Sequence, residues 1–207
     1  MTVPSNDLNI SQSGYCVFNA ATGAFTGNTF QAGPGISLTN ASGVGGNTTI
    51  SALGADQVNF LAYLGTNDTN QTGDGTQYTI GSSHALTIVN NVGSGLATNG
   101  TFTAPSAGIY LFSGVCILDN LLDTHTSANL VILHNATQFT LNGCNPYVVQ
   151  SATQSVGCYL NGSLTITLSA NDTIVFQIWV QGGTKTVTTF ANFGGTYNTY
   201  ITGVKLG

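Results

Sequence analysis

The stretch Thr98–Leu118, TNGTFTAPSAGIYLFSGVCIL, decides how the chain is read. Asn99-Gly100 is a strong turn dipeptide, Pro105 cannot donate to the ladder of a central strand, and Gly108 relaxes the backbone just ahead of Ile109-Tyr110-Leu111-Phe112. A short strand with Phe102 and Ala104 on one face therefore meets a second strand at a corner. The second strand is β-branched, aromatic and apolar on both faces, long enough to cross a sandwich. This is the pattern of a core strand in a closed β-structure.

Around it, alternating runs separated by Gly, Asn and Asp recur every ten or so residues, and helical periodicity is absent, so the chain reads as all-β. From Asp56 onward the expected strands are Val58 to Leu64, Tyr78 to Ile80, Leu86 to Asn90, Gly100 to Thr103, Ile109 to Leu118 and Ala128 to His134. Gln138 to Leu141, Val148 to Ser151, Ser155 to Leu168, Thr173 to Gln181 and Thr196 to Leu206 complete the set. GSLTITLSANDTIVFQIWVQGG reads as a hairpin: Leu164, Ile166 and Leu168 alternate inward, Ala170-Asn171-Asp172 turns, and Ile174, Phe176 and Ile178 alternate again. Count and order are those of a jelly-roll sandwich. Residues 1–55 differ: GYCVFNAATGAFTGNTF and GPGISLTNASGVGGNTTIS are Gly-rich and short of large core residues, too thin to bury a core alone. They read as a β-rich stalk or particle-attachment segment, and three copies wound together would give it a shared core without an open edge.

Composition narrows the function. Of 207 residues only 4% are charged, against roughly 25% in ordinary globular proteins. Every acid is Asp, both bases are Lys (Lys185 and Lys205), and the net charge is −5. Hydrophobic content of 42%, with ten Phe and eight Tyr, still argues for a packed fold, so Asn, Thr, Ser, Gln and Gly must build the surface. Two cations cannot assemble a phosphate-binding surface, which excludes nucleic acid and an anionic membrane as partners. Few charges also mean weak dependence on salt and pH, and only two sites for a trypsin-like protease, properties suited to an extracellular medium. Met1 to Ile10 shows neither a basic nor an apolar signal region, and no run reaches the length of a membrane span. The expected route outside a cell is thus lysis, a dedicated machine, or a particle assembled inside.

Cys16, Cys116, Cys144 and Cys158 show no C-x-x-C spacing, so a zinc site is unsupported. They read as buried small hydrophobes, the alternative being a disulfide from Cys116 to Cys158 or to Cys144. His84, His125 and His134 lie near Ser and Asp, but no Gly-x-Ser-x-Gly elbow positions a nucleophile, and they read as loop or strand histidines. A glycan hydrolase would need two of Asp68, Asp74, Asp119 and Asp123 in one cleft. The expectation is a protein that is not an enzyme and carries no cofactor. In GTNDTNQTGDGT, residues 65–76, Asp68, Asn70 and Asp74 could supply oxygens to Ca²⁺, although the segment lacks the Glu that closes an EF-hand loop and is otherwise ordinary turn chemistry. Sequons at Asn40, Asn47, Asn67, Asn70, Asn135 and Asn161 arise readily in an Asn/Thr-rich chain.

The element Phe-x-Ala-Pro-x-x-Gly-x-Tyr-x-Phe, carried by Phe102, Ala104, Pro105, Gly108, Tyr110 and Phe112, resembles the globular head of the C1q-like branch of the C1q and tumour-necrosis-factor superfamily. Leu168, Asp172, Thr173 and Ile174 carry a second matching element, and Tyr200–Leu206 stands where that family has its terminal strand. No collagen repeat precedes it; the stalk is instead similar to β-structured segments of phage and large-virus fibres and some bacterial surface proteins. The resemblance covers residues 56–207 and implies a ten-stranded jelly-roll head that forms a homotrimer through one sheet. It implies that Phe60, Tyr110, Tyr159, Tyr197 and Tyr200 lie on the sheet facing the threefold axis, where burial in one protomer competes with trimer contact for each ring. The expected role is structural and recognition work on a virion surface, as a fibre, spike or capsid decoration. The N-terminus would dock on a particle, and the loops around residues 65–76, 119–127 and 142–155 would bind a host receptor or glycan. A bacterial secreted or cell-surface adhesin or matrix protein is the alternative.

Overall fold

The computed structural model describes residues 57–149, 157–193 and 196–206, together with the backbone of four short strands ahead of them. The chain divides into two compact units, Met1–Asp56 and Gln57–Gly207. In the first, β1 (Tyr15–Asn19) pairs antiparallel with β2 (Ala24–Asn28), and β3 (Ile36–Thr39) with β4 (Thr49–Ala52).

The second unit is an all-β jelly-roll sandwich. Its strands are β5 (Asn59–Leu64), β6 (Asp68–Thr72), β7 (Gln77–Thr79), β8 (Leu86–Val92), β9 (Thr101–Thr103), β10 (Gly108–Asp119), β11 (Ser127–His134) and β12 (Thr137–Cys144). After one helical turn, α1 (Pro146–Val149), follow β13 (Cys158–Leu168), β14 (Thr173–Gln181), β15 (Val187–Phe190), β16 (Asn192–Phe193), β17 (Thr196–Tyr197) and β18 (Tyr200–Lys205). One sheet runs β13–β10–β18–β5–β8, and β15 and β6 continue from the C-terminal end of β10. The other runs β12–β11–β14, with β7 and β9 pairing successive stretches of β14.

The 12-residue β10 is the long core strand expected from Thr98–Leu118, and its even positions from Tyr110 to Leu118 are all buried. Phe60, Phe102, Tyr110 and Phe112 form one ring cluster, with Phe102 edge-on to Tyr110 and Phe112 at centroid distances of 5.7 and 5.3 Å. Such edge-to-face contacts add about 0.5–1.5 kcal/mol beyond area burial. Tyr110 keeps its hydroxyl satisfied by donating to the Ser106 carbonyl at 2.7 Å. Register places Phe112, Gly203 and Phe60 side by side on β10, β18 and β5. A Cβ on Gly203 would lie 2.4 Å from Phe60 and 2.8 Å from Phe112, so the missing side chain is what lets both rings lie inward. Gly100, at φ +84°, turns β9 back where a Cβ would meet the Ile80 carbonyl oxygen.

Several sequence expectations change. Residues 68–72 and 187–190, read as loop, are strands β6 and β15: their buried positions are Asp68, Thr72, Val187, Thr188 and Thr189, so no apolar alternation announces them. Pro146–Val149 is a helical turn instead of the start of a strand at Val148, and residues 150–156 lie outside the described residues. The terminal strand begins at Tyr200, with β17 split off by Asn198 and Thr199. The Thr199 hydroxyl donates to the Phe190 carbonyl at 2.6 Å, which turns that backbone out of the ladder.

Candidate functional site

The outward face of the first sheet is where its alternate residues point. Register aligns Asn161, Val115, Tyr200 and Tyr63 in one row across β13, β10, β18 and β5, and Ser163, Ser113, Thr202 and Leu61 in the next. Leu111 and Val204 pair in a third row, and Ile117 faces Tyr159 at the other end. Ile109 and Val204 are exposed, Tyr159 is 69% exposed, and between Ile109 and Ile117 none of these described outward positions carries a charge. Along the β5–β8 edge, Leu61, Tyr63, Val89, Thr196, Tyr197 and Tyr200 line a groove of about 570 Å³. In it the Tyr63 and Tyr197 rings stack with centroids 3.7 Å apart, and the Tyr63 hydroxyl beside it raises the pKa of the Tyr197 phenol.

The five aromatic residues expected on this face divide. Tyr159, Tyr197 and Tyr200 stand on its outward side. Phe60 and Tyr110 do not: they are 3% and 0% exposed and belong to the ring cluster of the protomer's own core. β5 and β10 are apolar on both faces, so composition leaves their parity open, and a shift of one residue exchanges the two faces. Reasoning from sequence thus missed Leu61, Tyr63, Leu111, Val115 and Ile117, the alternate residues that take the outward positions.

The suggested calcium ligands do not share a site. Asp68 is fully buried, accepts the Tyr78 hydroxyl and pairs with His84 Nδ1. Burial pushes its carboxyl pKa up, against the pull of His84. Asn70 is exposed with φ +55°, and Asp74 accepts the Thr76 N–H at 3.0 Å, closing its own turn and lowering its pKa. Among the described residues no three His, Cys, Asp or Glu side chains converge to hold a metal ion.

The histidines act as ties. His125, fully buried, accepts the Leu122 N–H on Nδ1 at 2.8 Å and reaches the Thr184 carbonyl with Nε2 at 3.1 Å. Gly73 donates to the Val180 carbonyl, and Gly183 donates to that of Gly73. Residues 73–76, 120–126 and 182–186 therefore form one fastened group instead of separate loops. His134 Nε2 lies 3.1 Å from Asp172, which also accepts from Asn135 and the Ser169 N–H; these bonds lower the Asp172 pKa to about 2. Cys144 pairs with Cys158 as a disulfide, and Cys116 remains a free buried thiol whose pKa burial pushes up to about 12. Both disulfide pairings involving Cys116 are thereby corrected: it points into the core from β10, while Cys144 and Cys158 bracket the β12–β13 connection. Within that connection Tyr147 and Val148 are strongly exposed.

The outward face of the second sheet is different in kind. β14 presents Val175, Gln177, Trp179 and Gln181, β11 presents Ser127, Asn129 and Leu133, and β7 adds Gln77 and Thr79. It is uncharged, like the first face, but dominated by amides and hydroxyls.

The chain matches no protein-family model, and no curated protein matches it. In fold it is similar to the solved structure of murine APRIL at pH 8.5, at 16% identity over 72% of this chain and 99% of that one, with TM-score 0.47. It is likewise similar to the globular domain of zebrafish complement 1qA protein, at 12% identity over 72% and 98%, with TM-score 0.44. Similarity to the PRD1 vertex protein P5 extends over 100% of this chain and 98% of that one, at 16% identity and TM-score 0.45.

Proposed function

We propose that the chain is a non-enzymatic structural and recognition protein of a virion surface, a fibre, spike or capsid decoration, whose residues 57–207 form the head of a homotrimer. The observation that carries this reading is the uncharged, apolar outward face of β10, β18 and β5. Isolated apolar residues on a surface need no explanation, but Leu61, Tyr63, Leu111, Val115, Ile117, Tyr200 and Val204, all at outward positions and interrupted only by Ser113 and Thr202, support a surface that is covered in the working state. A second copy fits it, because interface cores are depleted in charge and identical copies bring no like-charge repulsion to this face. Three copies instead of two, and the virion setting, follow from the resemblance of the head motifs and of the Gly/Thr/Asn-rich N-terminal segment. That segment would attach to the particle, leaving the fastened group of residues 73–76, 120–126 and 182–186 and the Tyr147–Val148 turn available to a host receptor.

Light scattering on the full-length protein tests the assembly: a mass three times that of the chain is expected, and a monomer at micromolar concentration would sink it. Antibodies against the head should label purified particles and block their attachment to host cells. Failure to label intact particles would remove the virion setting and favour a secreted or cell-surface protein.

A further inference from the structure

Trp179, the single tryptophan of the chain, points outward from β14 between the buried Ile178 and Val180 and is itself half-buried. Its indole N–H has no hydrogen-bond partner among the described residues. Beside it, Gln77 Nε2 on β7 donates to Gln138 Oε1 on β12 at 2.9 Å. Those strands are separated by β14 and β11, a span of about 14 Å at ordinary strand spacing, so the bond must pass over the outward side chains of the two middle strands. Two observations agree with such a clasp. Val131, at an outward position of β11, is nonetheless 0% exposed. Gln177 donates to Thr79 Oγ1 at 3.0 Å, but its Oε1 is buried with no partner. An amide oxygen left in that state costs about 1–3 kcal/mol, which makes the covered arrangement a poor resting place and a good receptor for a hydroxyl.

We propose that this face binds a neutral saccharide, one pyranose ring lying on the Trp179 indole while its hydroxyls replace the Gln77–Gln138 bond. The ligand class follows from the chemistry present. A flat aromatic suits the C–H face of a sugar, and the unpartnered Gln177 Oε1 beside it calls for a donor; a pyranose supplies both, a C–H face and hydroxyls that donate as well as accept. No cation stands on the face to pair with a carboxylate, sulfate or phosphate; the chain's two lysines, Lys185 and Lys205, lie outside the strands' outward positions here. A sialylated or sulfated glycan is therefore not the expected ligand. The inference deepens the recognition half of the reading above and does not depend on the trimer.

Because there is one tryptophan, its fluorescence reports on this site alone. The full-length protein is titrated with neutral trisaccharides of glucose, galactose and N-acetylglucosamine, and with sialyllactose, by fluorescence and by calorimetry. Expected are a saturable emission change and protection from acrylamide quenching with at least one neutral sugar. Trp179→Ala and Gln177→Leu should each weaken its binding at least tenfold, Trp179→Phe should keep much of it, and sialyllactose should bind no better than its neutral counterpart. The site is overturned if none of the neutral sugars gives a saturable signal at millimolar concentration, or if Trp179→Ala binds as tightly as the parent while its circular dichroism is unchanged. It is also overturned if Trp179→Ala changes the oligomer mass, which would make the face a contact between copies. Light scattering on the same samples separates the two readings: a trimer without sugar binding removes only this site, and a monomer that binds sugar removes only the assembly.

Discussion

The two outward faces of the sandwich are both uncharged, yet they differ in what they leave unsatisfied. The β10–β18–β5 face exposes Leu111, Val115, Tyr63 and Tyr200, whose contact with water is the unfavourable term and which any flat apolar surface would relieve. The β14–β11 face exposes amides and one indole, and its unmet need is for a hydrogen bond at Gln177 Oε1. Burial without direction suits a permanent contact between copies; directional need suits a small ligand that comes and goes. In a chain with almost no charge, the choice between apolar and amide side chains is what would separate the proposed assembly face from the proposed recognition face.

The strongest way to break that comparison is to remove the core from which both faces hang. Phe112→Ala should cost about 3–5 kcal/mol, lowering the urea midpoint and taking both faces away together. If only the oligomer were lost and the fold kept its stability, the ring cluster would not be the shared support. Gly203→Ala comes next, since its Cβ would lie 2.4 Å from Phe60. A loss of about 1–3 kcal/mol is expected from overpacking, and an unchanged melting temperature would mean that the two rings relax freely.

Leu111→Asp sharpens the contrast between the faces. If the proposed trimer forms through this face, it should reduce the mass in solution from three chains to one with little change in circular dichroism, whereas Thr140→Asp, at an exposed position of β12, should leave the mass unchanged. The opposite pattern would exchange the roles of the faces.

The smallest effect concerns the turns that hold the amide face. The Asp172 pKa is depressed to about 2 by Asn135, the Ser169 N–H and His134, so its contribution is fully present above the ordinary value near 3.8 and is lost as pH falls from about 4 towards 2. Asp172→Asn should flatten the fall in melting temperature over that interval, and an identical fall in both proteins would show that the carboxylate does not stabilise the turn.

Much of the fold is legible in the sequence because its markers are local. Asn99-Gly100, Pro105 and the run from Ile109 to Leu118 place one corner and the longest strand, and period-two alternation on either side of an Asn-Asp turn, where Asn171 adopts φ +70°, places β13 and β14. The hairpin expected there does not form: β13 pairs with β10 and β14 with β11, so the turn carries the chain from one sheet to the other. β6 and β15 were not legible, because Asp68, Thr72, Thr188 and Thr189 are polar residues buried by pairing with each other's strands and by partners such as Tyr78 and His84. The candidate surfaces were half legible: Tyr159, Tyr197 and Tyr200 stand outward, while Phe60 and Tyr110 turn into the core.

What the sequence determined by itself is the class of molecule: all-β and nearly uncharged, with its long core strand in place. These follow from side-chain chemistry and from spacings of a few residues, which no distant contact can alter. Tertiary structure decided which parity of β5 and β10 faces outward, that Asp68 is enclosed instead of offered to a cation, and that Gln77 meets Gln138 over an unsatisfied Gln177. Each of those outcomes depends on strands far apart in the chain coming into register, and register is a property of the packed sheets, not of any one segment.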